Sequence, residues 1–384
     1  MQLLDKNQSL AVDCLRFPLI IFVVFIHTTG KYPVDIADIS WSTTLTDVNI
    51  FRIFRYLIMN VVCRVAVPSF YLFSGYYFFY QIEKFNKDIY ASKIHRRIFS
   101  LLLPYLLWNL IQFLISILLI LKNTLQSGNF INQITIYYHK VGGLLGIFWN
   151  GQSTPSCKLN FLGFIDGRTA PIDMPLWFLR DLIILSILTP IIYWLIKKGK
   201  IYYIVVLLII TLLNLWPWIP GLSIDGLFYY SVGAYFSINR INLLQLSLKI
   251  KKMCFLLSLI MIPAIMIFNR YYDTLITLFI IPAICSSLVI MSTIINNEKI
   301  KKILLNMKSK VFFIYGIHYL PIVAIYSIFI TGLYSERNAL WDIVLYLSTP
   351  LFSVTICLIW YYILLKLFPT FVSALSGGLR TKKR

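Results

Sequence analysis

Long apolar runs, with almost all charge confined to the short segments between them, restrict this chain more than any other feature. Runs of about 16 to 23 residues match the thickness of a bilayer when coiled as helices. They can be drawn at 10–28, 60–80, 99–121, 176–196, 201–219, 222–238, 253–269, 274–295, 311–331 and 343–365, the sixth being the weakest. With 59% hydrophobic and 13% charged residues among 384, too little polar surface remains to coat a water-soluble fold of this length. The expectation is an all-α, polytopic membrane bundle of about ten transmembrane helices, forming a single domain over 1–384 with no appended soluble domain.

A net charge of +20 would suggest nucleic acid in a soluble protein, but its placement reports orientation here. Basic residues hold loops on the cytoplasmic side during insertion. Counted over the N-terminus, 81–98, 197–200, 239–252, 296–310 and the C-terminal tail, there are 23 Lys/Arg against 4 Asp/Glu. The alternate set (29–59, 122–175, 220–225, 270–273 and 332–342) holds 9 against 9. Both termini are therefore expected in the cytoplasm. Asp13 and Arg16 interrupt the first run and no small-residue cleavage site follows His27, so that run reads as a retained span and not a signal peptide. The six cysteines lie mostly within apolar runs and form neither CxxC motifs nor Cys/His clusters, so no metal and no disulfide framework is expected. The two long outer loops, 29–59 and 122–175, are of the length that forms lids or loosely ordered connectors.

Ionisable groups in hydrocarbon are costly and mark function by default. The first span carries Asp13, Arg16 and His27. Eleven residues separate Arg16 from His27, three turns plus about 20°, and Asp13 lies about 60° from Arg16, so all three share a face. The rise from Arg16 to His27 is about 16 Å, which lets one helix line a path through much of the membrane. Histidine, with a pKa near neutrality, suits removal of a proton from a hydroxyl. Asp13 and Arg16 also read as an i,i+3 ion pair at the helix entrance.

Arg64 opens the second span at a depth comparable with His27, as an interfacial anchor or a polar contact to substrate, and Ser74-Gly75 allows close helix packing. Trp177, Arg180 and Asp181 begin the fourth span, the first as an aromatic-belt residue and the other two as a candidate pair. On the inner side, Lys93, Arg96 and Arg97 form a basic cluster able to hold phosphates, although positive-inside sorting would also produce it. His318 falls about 10 Å in from the inner side of the ninth span, as a second site residue or a packing histidine.

Together these residues form a pattern. The chain resembles acyltransferase family 3, the membrane O-acyltransferases of surface glycans. The resemblance rests on Val12-Asp13-Cys14-Leu15-Arg16 with His27, Arg64 to Pro68 running through Phe73-Ser74-Gly75, the basic cluster before Pro104-Tyr105, Leu176-Trp177-Phe178-Leu179, and Phe313 through His318. It implies an inner-membrane enzyme that moves an acyl group, with acetyl foremost, from cytoplasmic acyl-CoA to a hydroxyl of an envelope polysaccharide or its lipid-linked precursor. It further implies no permanently bound cofactor. Carried over, Arg16 and His27 belong to the transfer machinery, with Arg64 and Asp13 beside them. Lys93, Arg96, Arg97 and His318 fall on the donor side. The family's cytoplasmic Arg-x-x-Arg is matched here by Lys93-x-x-Arg96, and lysine keeps the charge without the bidentate fork. Many relatives append a soluble hydrolase-like domain. None follows here, so the chain is expected to act alone or with a separate partner.

Two rival readings follow from the residues themselves. A transporter or flippase for an anionic glycolipid would use the intramembrane arginines to neutralise cargo, but would be expected to show internal repeats, and none is visible. A glycosyltransferase using a lipid-phosphate sugar would call on acidic residues early in the first outer loop, where Asp35 and Asp38 lie.

Overall fold

A computed structural model describes residues 2–27, 46–124, 128–153, 158–159, 165–166, 169–217, 219–323, 329–330, 332–334 and 338–378; Asp35 and Asp38 lie outside these. The architecture is a helical bundle. Lys6–Ile26, Asn49–Phe79, Lys87–Thr124, Asn269–Ile294 and Ala339–Leu367 are each long and apolar enough to cross a membrane, and two bent pairs, Met174–Ile187 with Thr189–Leu212 and Leu243–Lys249 with Lys251–Ile267, pass the same test together. On the outside of the third of these helices, Leu106, Leu110, Leu114 and Leu118 recur every four residues and are 38 to 61% exposed. Such a stripe suits lipid and not water.

Helix α1 (Gln2–Ile26) runs through the bundle. Helix α2 (Asp47–Tyr56), capped by the Thr46 hydroxyl, passes without a break through a wide turn at Leu57–Val62 and a tight one at Cys63–Val65 into α3 (Ala66–Phe79). The second span therefore starts upstream of residue 60, because part of the first outer loop is itself helical. Helix α4 (Lys87–Arg97) likewise continues through a wide turn at Ile98–Leu102 into α5 (Leu103–Thr124). Pro104 lacks the N–H that would bond the Ser100 carbonyl, inside the second wide turn, and its ring crowds that carbonyl, so the helix widens there; the carbonyl that Pro68 leaves unbonded is that of Arg64, in the tight turn.

The outer segment that follows contains α6 (Phe130–Lys140), α7 (Gly143–Phe148) and four two-residue strands: β1 (Gln152–Ser153), β2 (Lys158–Leu159), β3 (Ile165–Asp166) and β4 (Thr169–Ala170). β1 pairs with β4 and β2 with β3, both antiparallel. These two-residue ladders are local pairings of loop backbone within an otherwise helical fold.

Helix α8 (Trp177–Ile187) bends by 64° into α9 (Thr189–Leu212), which is itself broken at Lys200, where φ is 48°. The break falls in the expected loop 197–200. Helix α10 (Ile224–Ile238) is deeply enclosed, with Phe228, Tyr229, Tyr230 and Ala234 at most 1% exposed. Next come α11 (Leu243–Lys249), α12 (Lys251–Ile267), α13 (Tyr272–Ile294), α14 (Glu298–Lys308), α15 (Val311–Ile317), α16 (Ala339–Leu367) and α17 (Pro369–Leu375).

Helices α3 and α10 meet backbone to backbone. A Cβ at Gly75 would stand 2.0 Å from the Tyr230 carbonyl oxygen, and one at Gly233 would stand 1.9 Å from that of Leu72. In a bilayer apolar side chains gain little by leaving lipid for protein, so such close approach supplies much of the helix–helix attraction. Gly75→Val or Gly233→Val is expected to cost about 3 kcal/mol or more, read as a lowered unfolding midpoint in detergent; an unchanged midpoint for both would remove this contact from the list of determinants.

The expected ninth span, 311–331, is interrupted. Helix α15 ends at Ile317 and residues 318–320 form a turn before Pro321. Proline disfavours the helical region for the residue before it and cannot donate into the preceding turn, so the helix stops there.

Candidate active site

At its C-terminal end α1 brings His27 to that interruption. The His27 ring lies 5.3 Å from His318, centroid to centroid, and 5.4 Å from Tyr319 in an edge-on contact. His318 is 6% exposed, and its Nδ1 is 2.7 Å from the Tyr315 carbonyl. A carbonyl only accepts, so Nδ1 carries a proton and Nε2 of the neutral ring holds a lone pair. That Nε2 is buried and has no partner among the described residues. A carbonyl that fixes tautomer and ring orientation, leaving the other nitrogen free, is the usual arrangement of a general base.

Arg64 is the third member. Its guanidinium lies within electrostatic range of His27, is steadied by a 3.0 Å hydrogen bond from Nη2 to Asn60 Oδ1, and keeps a buried Nε–H without a partner among the described residues. Asn60 and Arg64 are four residues apart, neighbours across one helical turn. A cation with an unused donor beside a histidine pair can stabilise negative charge developing on a carbonyl oxygen.

Arg16 lies toward the other end of α1, with its Nε 3.8 Å from Asp13 Oδ1. Asp13 Oδ2 also takes a 2.6 Å bond from Lys308 Nζ on α14. Asp13 is thus engaged in ion pairs about 21 Å along the helix from His27, and the structure does not bring it to the histidines. Arg97 lies within electrostatic range of Arg16. Its Nη2 and Lys93 Nζ each point to a backbone carbonyl of α3, Ser74 and Tyr77 respectively, at 3.5 Å, and both sit over the Phe78 ring, at 5.7 and 6.0 Å. Arg96 is exposed. The inward basic pair is therefore Lys93 and Arg97, four residues apart on one helix face, with Arg96 turned away.

His318, expected on the donor side with Lys93, Arg96 and Arg97, is brought against His27. Tyr319 and Asn60 are site residues that sequence reasoning passed over; their signals are adjacency to His318 and an i−4 relation to Arg64.

Arg180 and Asp181 do pair, at 3.2 Å and with side chains 5% and 2% exposed. Arg180 also donates to the Thr169 and Trp149 carbonyls and lies over the Trp149 ring, while Asp181 Oδ2 accepts from Ser223 N. Every charge-bearing atom is engaged, which makes the pair a clasp between α8, the outer loop and α10, and not a reaction centre.

The fold and site thus define an all-α membrane protein with a pair of histidines, His27 and His318, at the C-terminal end of its first helix. The chain matches the acyltransferase domain family over residues 9–372 and belongs to that family, acyltransferase family 3. It is also 25% identical over 244 residues to the succinoglycan biosynthesis protein ExoH of Rhizobium meliloti (strain 1021), a match covering 63% of this chain and 58% of that protein. No solved structure matches.

Proposed function

We propose that the protein is a membrane O-acyltransferase, acetyl being the first acyl group to test, which moves an acyl group from acyl-CoA to a hydroxyl of an envelope polysaccharide or its lipid-linked precursor. The observation that carries this reading is the meeting of His27 and His318 beside Arg64. It is supported by the family match and, for a glycan acceptor, by the relative's role in succinoglycan biosynthesis. The proposed setting is the cell inner membrane, with ten spans and both termini cytoplasmic, which puts the donor against Lys93, Arg97 and Arg16.

The thioester then extends along the polar face of α1 toward His27. The histidine pair takes the proton of the acceptor hydroxyl as its oxygen attacks the thioester carbonyl, and the Arg64 guanidinium steadies the oxyanion. The C–S bond breaks, the proton passes from the imidazolium to the leaving sulfur, and CoA departs as a thiol. Direct transfer and a transient acyl-histidine both fit this geometry.

Membranes carrying wild type or His27→Ala at matched expression, given radiolabelled acetyl-CoA, test the proposal. Label is expected in envelope glycan with wild type and to fall by at least about 10²-fold with His27→Ala. Equal label in both would remove His27 from the reaction. No label from any acyl-CoA supplied would move the assignment to glycolipid transport.

A further inference from the structure

Asp173 precedes α8 on the outer side and is 1% exposed, yet neither carboxyl oxygen has a hydrogen-bond partner among the described residues. Buried carboxyls are almost always bonded, because leaving the group unserved forfeits its hydration without replacement. The backbone around it offers no slack. Its N–H donates to Asn109 Oδ1 at 3.1 Å, its carbonyl accepts from Leu176 N at 3.0 Å, and Ile172 N bonds the Ile147 carbonyl at 3.0 Å. These bonds fix the backbone, and with it the position from which the side chain extends.

Three tyrosines lie within electrostatic range of the carboxyl, Tyr105, Tyr315 and Tyr319, and none serves it. The Tyr105 hydroxyl donates to the Phe148 carbonyl, that of Tyr315 to the Pro175 carbonyl, and that of Tyr319 points to Met174 Sδ. Tyr315 and Tyr319 flank His318 in sequence, and the Tyr319 ring touches His27. Tyr319 thus connects the two, within electrostatic range of the unserved carboxyl and in ring contact with His27. Burial pushes this carboxyl well above its ordinary range.

We infer that Asp173 is an acceptor-binding residue, its two oxygens engaging hydroxyl groups of the incoming glycan and setting the reactive hydroxyl beside His27 and His318. Adjacent sugar hydroxyls supply the donors and acceptors that the carboxyl lacks, and the rigid backbone fixes where they sit. This rests on the glycan-acceptor reading above and adds a residue to it.

The test uses the full chain in lipid nanodiscs, with oligosaccharides cut from the envelope polysaccharide of the producing cell and stripped of esters by mild base. Glycan binding is measured without donor for wild type, Asp173→Asn and Asp173→Leu, alongside acetyl-CoA binding and the thermal midpoint. Asp173→Leu is expected to weaken glycan binding at least tenfold, Asp173→Asn less, with acetyl-CoA binding within twofold of wild type. The midpoint is expected to rise, since an unserved buried group has been removed. A purely structural Asp173 would instead lower it. Glycan binding by wild type that is unchanged in Asp173→Leu overturns the inference while leaving acyl transfer intact. Absence of glycan binding by wild type overturns it too, as does a fall of both affinities with a lower midpoint. If binding depends on Asp173 but no acyl-CoA supports transfer, Asp173 stands and the acyl-CoA assignment fails.

Discussion

His318→Ala lowers acyl transfer about as far as His27→Ala, by an expected 10²- to 10⁴-fold, and the double variant falls little further than either single one. The two rings are 5.3 Å apart, and groups that work as one unit are strongly non-additive when removed together. His318→Gln and His318→Asn, which can still donate to the Tyr315 carbonyl but lack a basic lone pair, are expected to fail as His318→Ala does. Initial rates of label transfer from acetyl-CoA in matched membranes read this. A multiplicative loss in the double variant would mean that the histidines act in separate steps, and wild-type rates in His318→Gln would reduce His318 to a packing residue.

Asp181→Ala is expected to unfold much of the protein, at a cost of about 3–5 kcal/mol, because it leaves the guanidinium of Arg180 buried without its counter-charge. Arg180→Ala strands the carboxylate in the same way. Replacing both, as Arg180→Met with Asp181→Leu, is expected to cost clearly less than the two single losses added, since no lone charge remains. Some loss persists because the contacts to Trp149, Thr169 and Ser223 are gone. Thermal midpoints in detergent for the three variants form a double-mutant cycle. Additive losses would show that the charges do not depend on each other, contrary to their 3.2 Å contact.

Most of the helical character was legible because apolar runs of bilayer length have few other solutions. The break at Lys200 was legible from Lys197-Lys198-Gly199-Lys200, and a close helix approach at Gly75 from Ser74-Gly75, though not the helix it meets. Arg16 and His27 could be set on one face of α1 by counting alone. Partners from other helices could not. That Asp13 belongs to Lys308, that Arg97 and not Arg96 faces inward, and that His318 lies against His27 all depend on where α14 and α15 start relative to α1, and local composition does not encode that depth. The helical start of the second span was hidden because Arg52 and Arg55 make Asp47–Tyr56 amphipathic, so an apolar-run criterion stops short of it. The outer-loop ladders escaped because two-residue strands leave no periodicity to detect.

The wide turn at Leu57–Val62 lets foldability and activity come apart. A π turn carries one residue more than an α turn, so deleting a single residue from this stretch would restore ordinary helical pitch and could leave the flanking helices seated. The deletion would also remove the extra residue that sets the rotation of Arg64 about the helix axis, and with it the placement of its guanidinium within reach of His27. A shortened chain could then insert and assemble like its parent while lacking the cation at its reaction centre, so among related sequences a one-residue length difference here would separate active members from inert ones more sharply than most substitutions elsewhere in the span.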